Sequence, residues 1–110
     1  MNMLHYAQSV NTGAWAGYDL GSEQLNLGRW NATRPPTYQY DVITAPVALF
    51  WGQNDWLVVP EDEAALAEEL PNLVINWRVD EDAYTHLDFL WGMQNVEKVY
   101  GPTMQIMENY

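Results

Sequence analysis

The chain has 110 residues, 48% of them apolar, with six tryptophans, seven tyrosines and no cysteine. Fifteen acids against four bases leave a formal net charge of −11, which excludes nucleic-acid binding through phosphates because no basic patch can displace counterions. The length bounds the chain to one modest domain; the aromatic content excludes a disordered segment, and the lack of cysteine excludes a disulfide framework or thiolate metal site.

The same charge repels anionic lipid head groups, so any contact with lipid must be made through apolar surface. No apolar run approaches the roughly 20 residues of a membrane-spanning helix. No basic cluster followed by an apolar stretch marks a signal peptide at the N-terminus.

Residues 1–9, MNMLHYAQS, predict a short helix with Met3, Leu4 and Ala7 on one side. Residues 10–40 read as irregular, punctuated by Gly13, Gly17, Gly21, Gly28, Pro35 and Pro36. Trp15, Tyr18, Trp30, Tyr38 and Tyr40 recur there, which predicts an ordered loop region held by aromatic packing. After Tyr40 the pattern becomes α/β. Residues 45–51, APVALFW, are a continuous apolar run bounded by turn signals, as in a strand buried on both faces. GQND follows as a turn. Residues 61–70, EDEAALAEEL, predict a solvated outer helix, acidic where the helix dipole is positive, with Ala65, Leu66 and Leu70 as its apolar stripe. Residues 73–79, LVINWRV, predict a second strand, and a loop with Asp80, Glu81 and Asp82 leads to His86. Residues 94–109 read helical, with Val96, Val99, Tyr100, Ile106 and Met107 near one face and a kink or split at Gly101-Pro102.

Strand, helix, strand, helix at this spacing is the end of a parallel sheet. Two strands alone do not make a stable open sheet, so the pattern asks for more strands than the chain contains. The expected organisation has residues 1–40 leading into an α/β part over 41–110.

Functional groups in open α/β sheets gather beyond the carboxyl ends of the strands. Asp55 follows the first strand and His86 the second, 31 positions later. Adjacent parallel strands would bring both loops to one edge. An imidazole can take a proton from a weak nucleophile and return it. A carboxylate on its other nitrogen fixes the tautomer and stabilises the imidazolium. Taken alone, His86 reads more readily as a packing or capping histidine than as a catalytic one, and Asp55 more often as an ordinary turn residue.

The segments NMLHYAQ, YDLGSEQLNLGRWNATRPPTY, ALFWGQNDWLV, LPNLV and HLDFLWG, in that order and spacing, resemble the C-terminal part of the acid lipase family. The resemblance covers essentially the whole chain. It implies an α/β-hydrolase fold: residues 1–40 would end the cap region and return to the core, and residues 41–110 would supply the last parallel strands and helices. It implies a secreted or lysosomal enzyme that cleaves fatty-acyl esters at a lipid–water interface, with no cofactor and no metal. The family's catalytic aspartate corresponds to Asp55 and its histidine to His86. The family's nucleophile is a serine in a G-x-S-x-G elbow, and this chain has only Ser9 and Ser22, neither in such a motif. The expectation is therefore a portion of a lipase whose serine and oxyanion-hole amides lie upstream, with Met1 not the start of the full enzyme. Alone, the chain would be inactive and would fold poorly.

Asp88 is a rival carboxylate beside His86, read as a loop-stabilising or capping acid because the hydrolase order places the triad acid before the histidine. His5 reads as a packing residue, with no metal-ligand spacing to His86. Asn31-Ala32-Thr33 is a glycosylation sequon in a polar loop. Trp15, Tyr18 and Trp30 would either line an acyl cleft or pack the loops. Leu87, Phe89, Leu90 and Trp91 are expected to anchor the loop from which His86 projects. Two other readings are a non-enzymatic lipid- or sugar-binding module and a different α/β-hydrolase, such as an epoxide hydrolase with an aspartate nucleophile.

Overall fold

A computed structural model describes residues 2–110; Met1, the first residue of the predicted N-terminal helix, lies outside the described residues. The chain divides into two compact units, the first running to Gln39 and the second covering Tyr40–Tyr110.

In the first unit, α1 spans Asn2–Thr12. It stops where Gly13, at φ +63°, bonds back from its N–H to the Ser9 carbonyl at 2.8 Å. The region expected to be irregular contains a second helix, α2, over Glu23–Trp30. Ser22 caps it by accepting the Leu25 N–H, a bond worth about 1 kcal/mol. Asn31 closes it in the left-handed conformation. The buried amide of Asn26 binds the turns around α2: its oxygen accepts the Leu20 N–H, and its nitrogen donates to Asp19 Oδ1 and to the Thr33 carbonyl. Trp30 packs against Gly17 and donates its indole N–H to the Tyr18 carbonyl. Trp15 meets Tyr38 edge-on beside the antiparallel bridge Ala16↔Thr37. His5 donates from Nε2 to the Ala16 carbonyl at 2.8 Å and sets its ring edge against Tyr18.

In the second unit, β1 (Val47–Trp51) and β2 (Leu73–Arg78) pair in parallel, with a register shift between Val47 and Ala48. Val79 extends the ladder by donating to the Trp51 carbonyl. The crossover contains α3, Pro60–Glu69, which starts on proline and carries Glu61, Asp62 and Glu63 in its first turn. α4 (Asp88–Trp91), a π-helical turn over Val96–Tyr100 and α5 (Gly101–Met107) complete the chain.

Four further expectations are corrected. Strand β1 is not buried on both faces: Ala48 is exposed and its other residues are half-buried. Val74 and Trp77 are exposed as well. On α3, Ala65 faces out, and Glu63 is buried beside the half-buried Leu66 and Leu70, so the helix is not wholly solvated. The C-terminal helix does split at Gly101-Pro102. Pro102 brings no N–H and crowds the preceding turn, and upstream the helix widens so that the Gly101 N–H reaches back to the Val96 carbonyl. The widened turn breaks the helical phase, leaving Val96, Tyr100 and Met107 exposed while Val99 is buried. Of the expected loop anchors, Phe89 packs on the core of Val79, Tyr84 and Val99, whereas Leu87, Leu90 and Trp91 are exposed.

Candidate active site

The site sits where β1 and β2 end. Beyond β1 the chain turns through Gly52 to Asp55, whose N–H donates to the Gly52 carbonyl. Asp55 is 6% exposed, so its carboxylate needs partners to stay ionised. Oδ1 accepts the backbone N–H groups of Leu57 at 2.8 Å and Val58 at 2.9 Å, and Oδ2 lies 2.9 Å from His86 Nδ1. Burial pushes the Asp55 carboxyl up, but the Val58 N–H, the His86 ring and the Leu57 N–H outweigh it and hold the group below its ordinary value.

The side chain of His86 is 44% exposed. With Nδ1 turned to a carboxylate, which only accepts, the ring carries its proton there, and Nε2 is left as the basic nitrogen. The two loops are also joined through the backbone. The Asn54 N–H donates to the Tyr84 carbonyl at 3.1 Å, tying the residue before Asp55 to the residue two before His86. Gly52 permits this approach, since a Cβ there would lie 2.5 Å from the same carbonyl oxygen.

Asp88 does not compete for the imidazole. Its Oδ2 accepts both the backbone N–H and the hydroxyl of Thr85, each at 2.7 Å. The Thr85 hydroxyl first, and then its N–H, lower the Asp88 carboxyl below its ordinary value. Tyr84 is buried, which together with the nearby Asp88 pushes its phenol up, so it remains a proton donor. It meets Phe89 edge-on at 4.9 Å and donates to Asn95 Oδ1. Tyr84, Asn95 and Gly52 were not singled out by sequence reasoning. The signals available were a tyrosine two residues before His86 and a glycine immediately after a strand.

Asn31 lies in the first unit, exposed, at the left-handed end of α2. No group of His, Asp and Glu suited to hold a metal ion occurs among the described residues. No described helix is long and apolar enough to cross a membrane.

No family model matches the chain. It is 36% identical over 107 residues to lipase member M of Homo sapiens, an alignment covering 97% of this chain and 25% of that protein. It is 37% identical over 106 residues to gastric triacylglycerol lipase of Rattus norvegicus, covering 96% and 26%. With the lysosomal acid lipase/cholesteryl ester hydrolase of Homo sapiens the identity is 33% over 109 residues, covering 99% and 27%. The chain spans about a quarter of the length of the curated relatives it matches. Homology over nearly every residue of this chain, to gastric, lysosomal and M-type enzymes alike, makes it a member of the acid lipase family.

Proposed function

We propose that the chain is the C-terminal part of a lipase that hydrolyses fatty-acyl esters, contributing the acid and the base of a Ser-Asp-His triad. The observation that carries the reading is the Asp55–His86 contact at 2.9 Å, with the second Asp55 oxygen already held by two backbone N–H groups. That carboxylate is charged, buried and fixed in direction, as a group that orients an imidazole must be.

In the complete enzyme a serine from the preceding segment attacks the ester carbonyl. His86 takes the hydroxyl proton on Nε2 and passes it to the departing alcohol. In the second half-reaction His86 takes a proton from water, the resulting hydroxide adds to the acyl-enzyme, and the proton returns to the serine as the fatty acid leaves. Asp55 keeps its charge throughout and stabilises the imidazolium. No cofactor is required. Residues 1–40 then end the cap over the acyl cleft, residues 41–110 complete the hydrolase core, and Asn31 is a glycan acceptor on a secreted or lysosomal protein. The apolar faces of β1 and β2 are covered by the rest of the hydrolase.

The test has two steps. The coding sequence upstream is read for an in-frame G-x-S-x-G segment, and the full chain is then assayed with and without His86→Ala. Loss of ester hydrolysis with retained folding supports the reading. Lack of the serine motif upstream, or activity that survives the substitution, overturns it.

A further inference from the structure

We infer that Asn95 is a positioning residue for the Asp55–His86 pair, a buried amide that clasps both flanks of the segment carrying His86. The inference rests on the reading of His86 as the general base.

The His86 ring is half-exposed, and its neighbours Leu87, Leu90 and Trp91 face solvent. These three side chains therefore do not hold the imidazole in this structure, and the segment is anchored by Tyr84 and Phe89 on the core. One further side chain ties the backbone on either side of His86 together. Asn95 is 3% exposed. Its Oδ1 accepts the Tyr84 hydroxyl, and its Nδ2 donates to the Asp88 carbonyl at 2.6 Å. Tyr84 and Asp88 lie two residues before and two residues after His86. Asp88 closes the inner turn by accepting from Thr85 twice. The chain from Tyr84 to Asp88 thus forms a closed circuit through Asn95, with His86 at its middle.

The circuit is tied to the acid as well. The backbone carbonyl of Tyr84 accepts the Asn54 N–H, next to Asp55. Fixing Tyr84 fixes the distance between the two loops.

The chemistry requires an amide at position 95. The Tyr84 phenol, kept protonated by burial, donates; a peptide carbonyl can only accept. One side chain must therefore offer an acceptor and a donor a short distance apart. Aspartate of the same size offers the acceptor and sets a negative charge against the Asp88 carbonyl. Leucine offers neither. The close fit of Gly92 leaves no slack, since a Cβ there would lie 2.6 Å from the Asp88 carbonyl oxygen and 2.7 Å from Asn95 Oδ1.

The experiment uses the complete lipase chain with Asn95→Asp, Asn95→Leu, Tyr84→Phe and the reference His86→Ala. Hydrolysis of a soluble chromogenic ester is measured per active site, the sites being counted with a serine-reactive phosphonate. In folded Asn95→Asp, kcat per site falls by roughly 100-fold, as a misplacement of about 1 Å produces, with KM little changed. Tyr84→Phe, which opens one arm of the clasp and keeps the ring in the core, shows a smaller fall of the same kind. If both Asn95 variants fail to fold, Tyr84→Phe decides alone. Overturning results are a kcat per site within twofold of the parent in the folded variants, or a loss confined to the number of titrated sites. Activity that survives His86→Ala overturns the triad reading itself, and is recognised separately because Asn95 plays no part in that comparison.

Discussion

Asp55 and His86 meet at 2.9 Å although 31 residues separate them. Each follows one of two adjacent parallel strands, and the Asn54–Tyr84 backbone bond laces the two loops together. The carboxylate is buried and triply engaged while the imidazole is half-exposed, and in the proposed reading the first is the orienting group and the second the base. The division has consequences for activity and for stability, and they can be separated.

Asp55→Asn keeps the size of the side chain and removes its charge. The amide can still engage the Leu57 and Val58 N–H groups with its oxygen, but it then presents an NH2 group to His86 Nδ1. The imidazole is driven to the other tautomer, with its proton on the nitrogen that should be basic. In the complete enzyme kcat is expected to fall by as much as about 10⁴-fold with KM nearly unchanged. Steady-state kinetics on a soluble ester check this; a fall of less than tenfold would remove Asp55 from the orienting role.

The same carboxylate links stability to pH. Its native value lies below the ordinary aspartate value because the Val58 and Leu57 N–H groups and His86 outweigh the cost of its burial. The native state therefore binds fewer protons than the unfolded one, and stability rises with pH across this window. The contribution is fully present above the ordinary value and is lost as pH falls through the lower native one. Thermal melts of the parent and Asp55→Asn should differ most near neutrality and converge at the acid end. A difference that is constant with pH would mean that the charge of Asp55 contributes nothing.

Much of this arrangement is legible in the residues. APVALFW and LVINWRV show as strands because each is a β-rich apolar run between turn residues, and EDEAALAEEL shows as a helix because of its acidic start and strong helix formers. The parallel order then brings Asp55 and His86 to one edge. Three features were not legible. Helix α2 hides behind Gly21 and Gly28, and its local signals are Ser22 as a cap, Glu23 in the first turn and Arg29 in the last. The exposure of Leu87, Leu90 and Trp91 cannot be read from their apolarity, since composition does not say which neighbours are present to cover them. The clasp by Asn95 depends on a contact with Tyr84 eleven residues away, which no local pattern encodes.

Gly52→Ala tests how closely the two loops must approach. The added Cβ would lie 2.5 Å from the Tyr84 carbonyl oxygen and 3.2 Å from its ring. Backbone on one side and a buried ring on the other cannot both give way, so the loops must part. The expected cost is about 1–3 kcal/mol of stability, as for overpacking elsewhere, together with a lowered kcat. Denaturant titration and ester kinetics on one preparation measure both. An unchanged midpoint would show that the Tyr84 loop moves freely.

Asn31→Gln tests the sequon. Asn31 is exposed and in the left-handed conformation at the end of α2. When the chain is expressed through a secretory pathway, the parent should carry one glycan there. The variant should migrate faster on a gel, and glycosidase treatment of the parent should remove the difference. Equal mobility without glycosidase would exclude modification at Asn31.

The 110-residue chain by itself should be inactive and prone to associate. Among the described residues its buried apolar core is limited to Val79, Tyr84 and Val99, while Val74 and Trp77 of β2 lie exposed. A parallel two-stranded sheet with uncovered apolar side chains and open edges is a template for pairing with further strands. Burying a side chain such as Trp77 or Val74 contributes about 1.5–3 kcal/mol each, so a few such groups left uncovered are enough to remove the margin of a small domain. Size-exclusion chromatography should show aggregates, and a dye that reports exposed apolar surface should bind strongly. Both signals should disappear when the chain is produced as part of the complete enzyme. A monomeric preparation with a cooperative melt would show instead that these residues are self-sufficient.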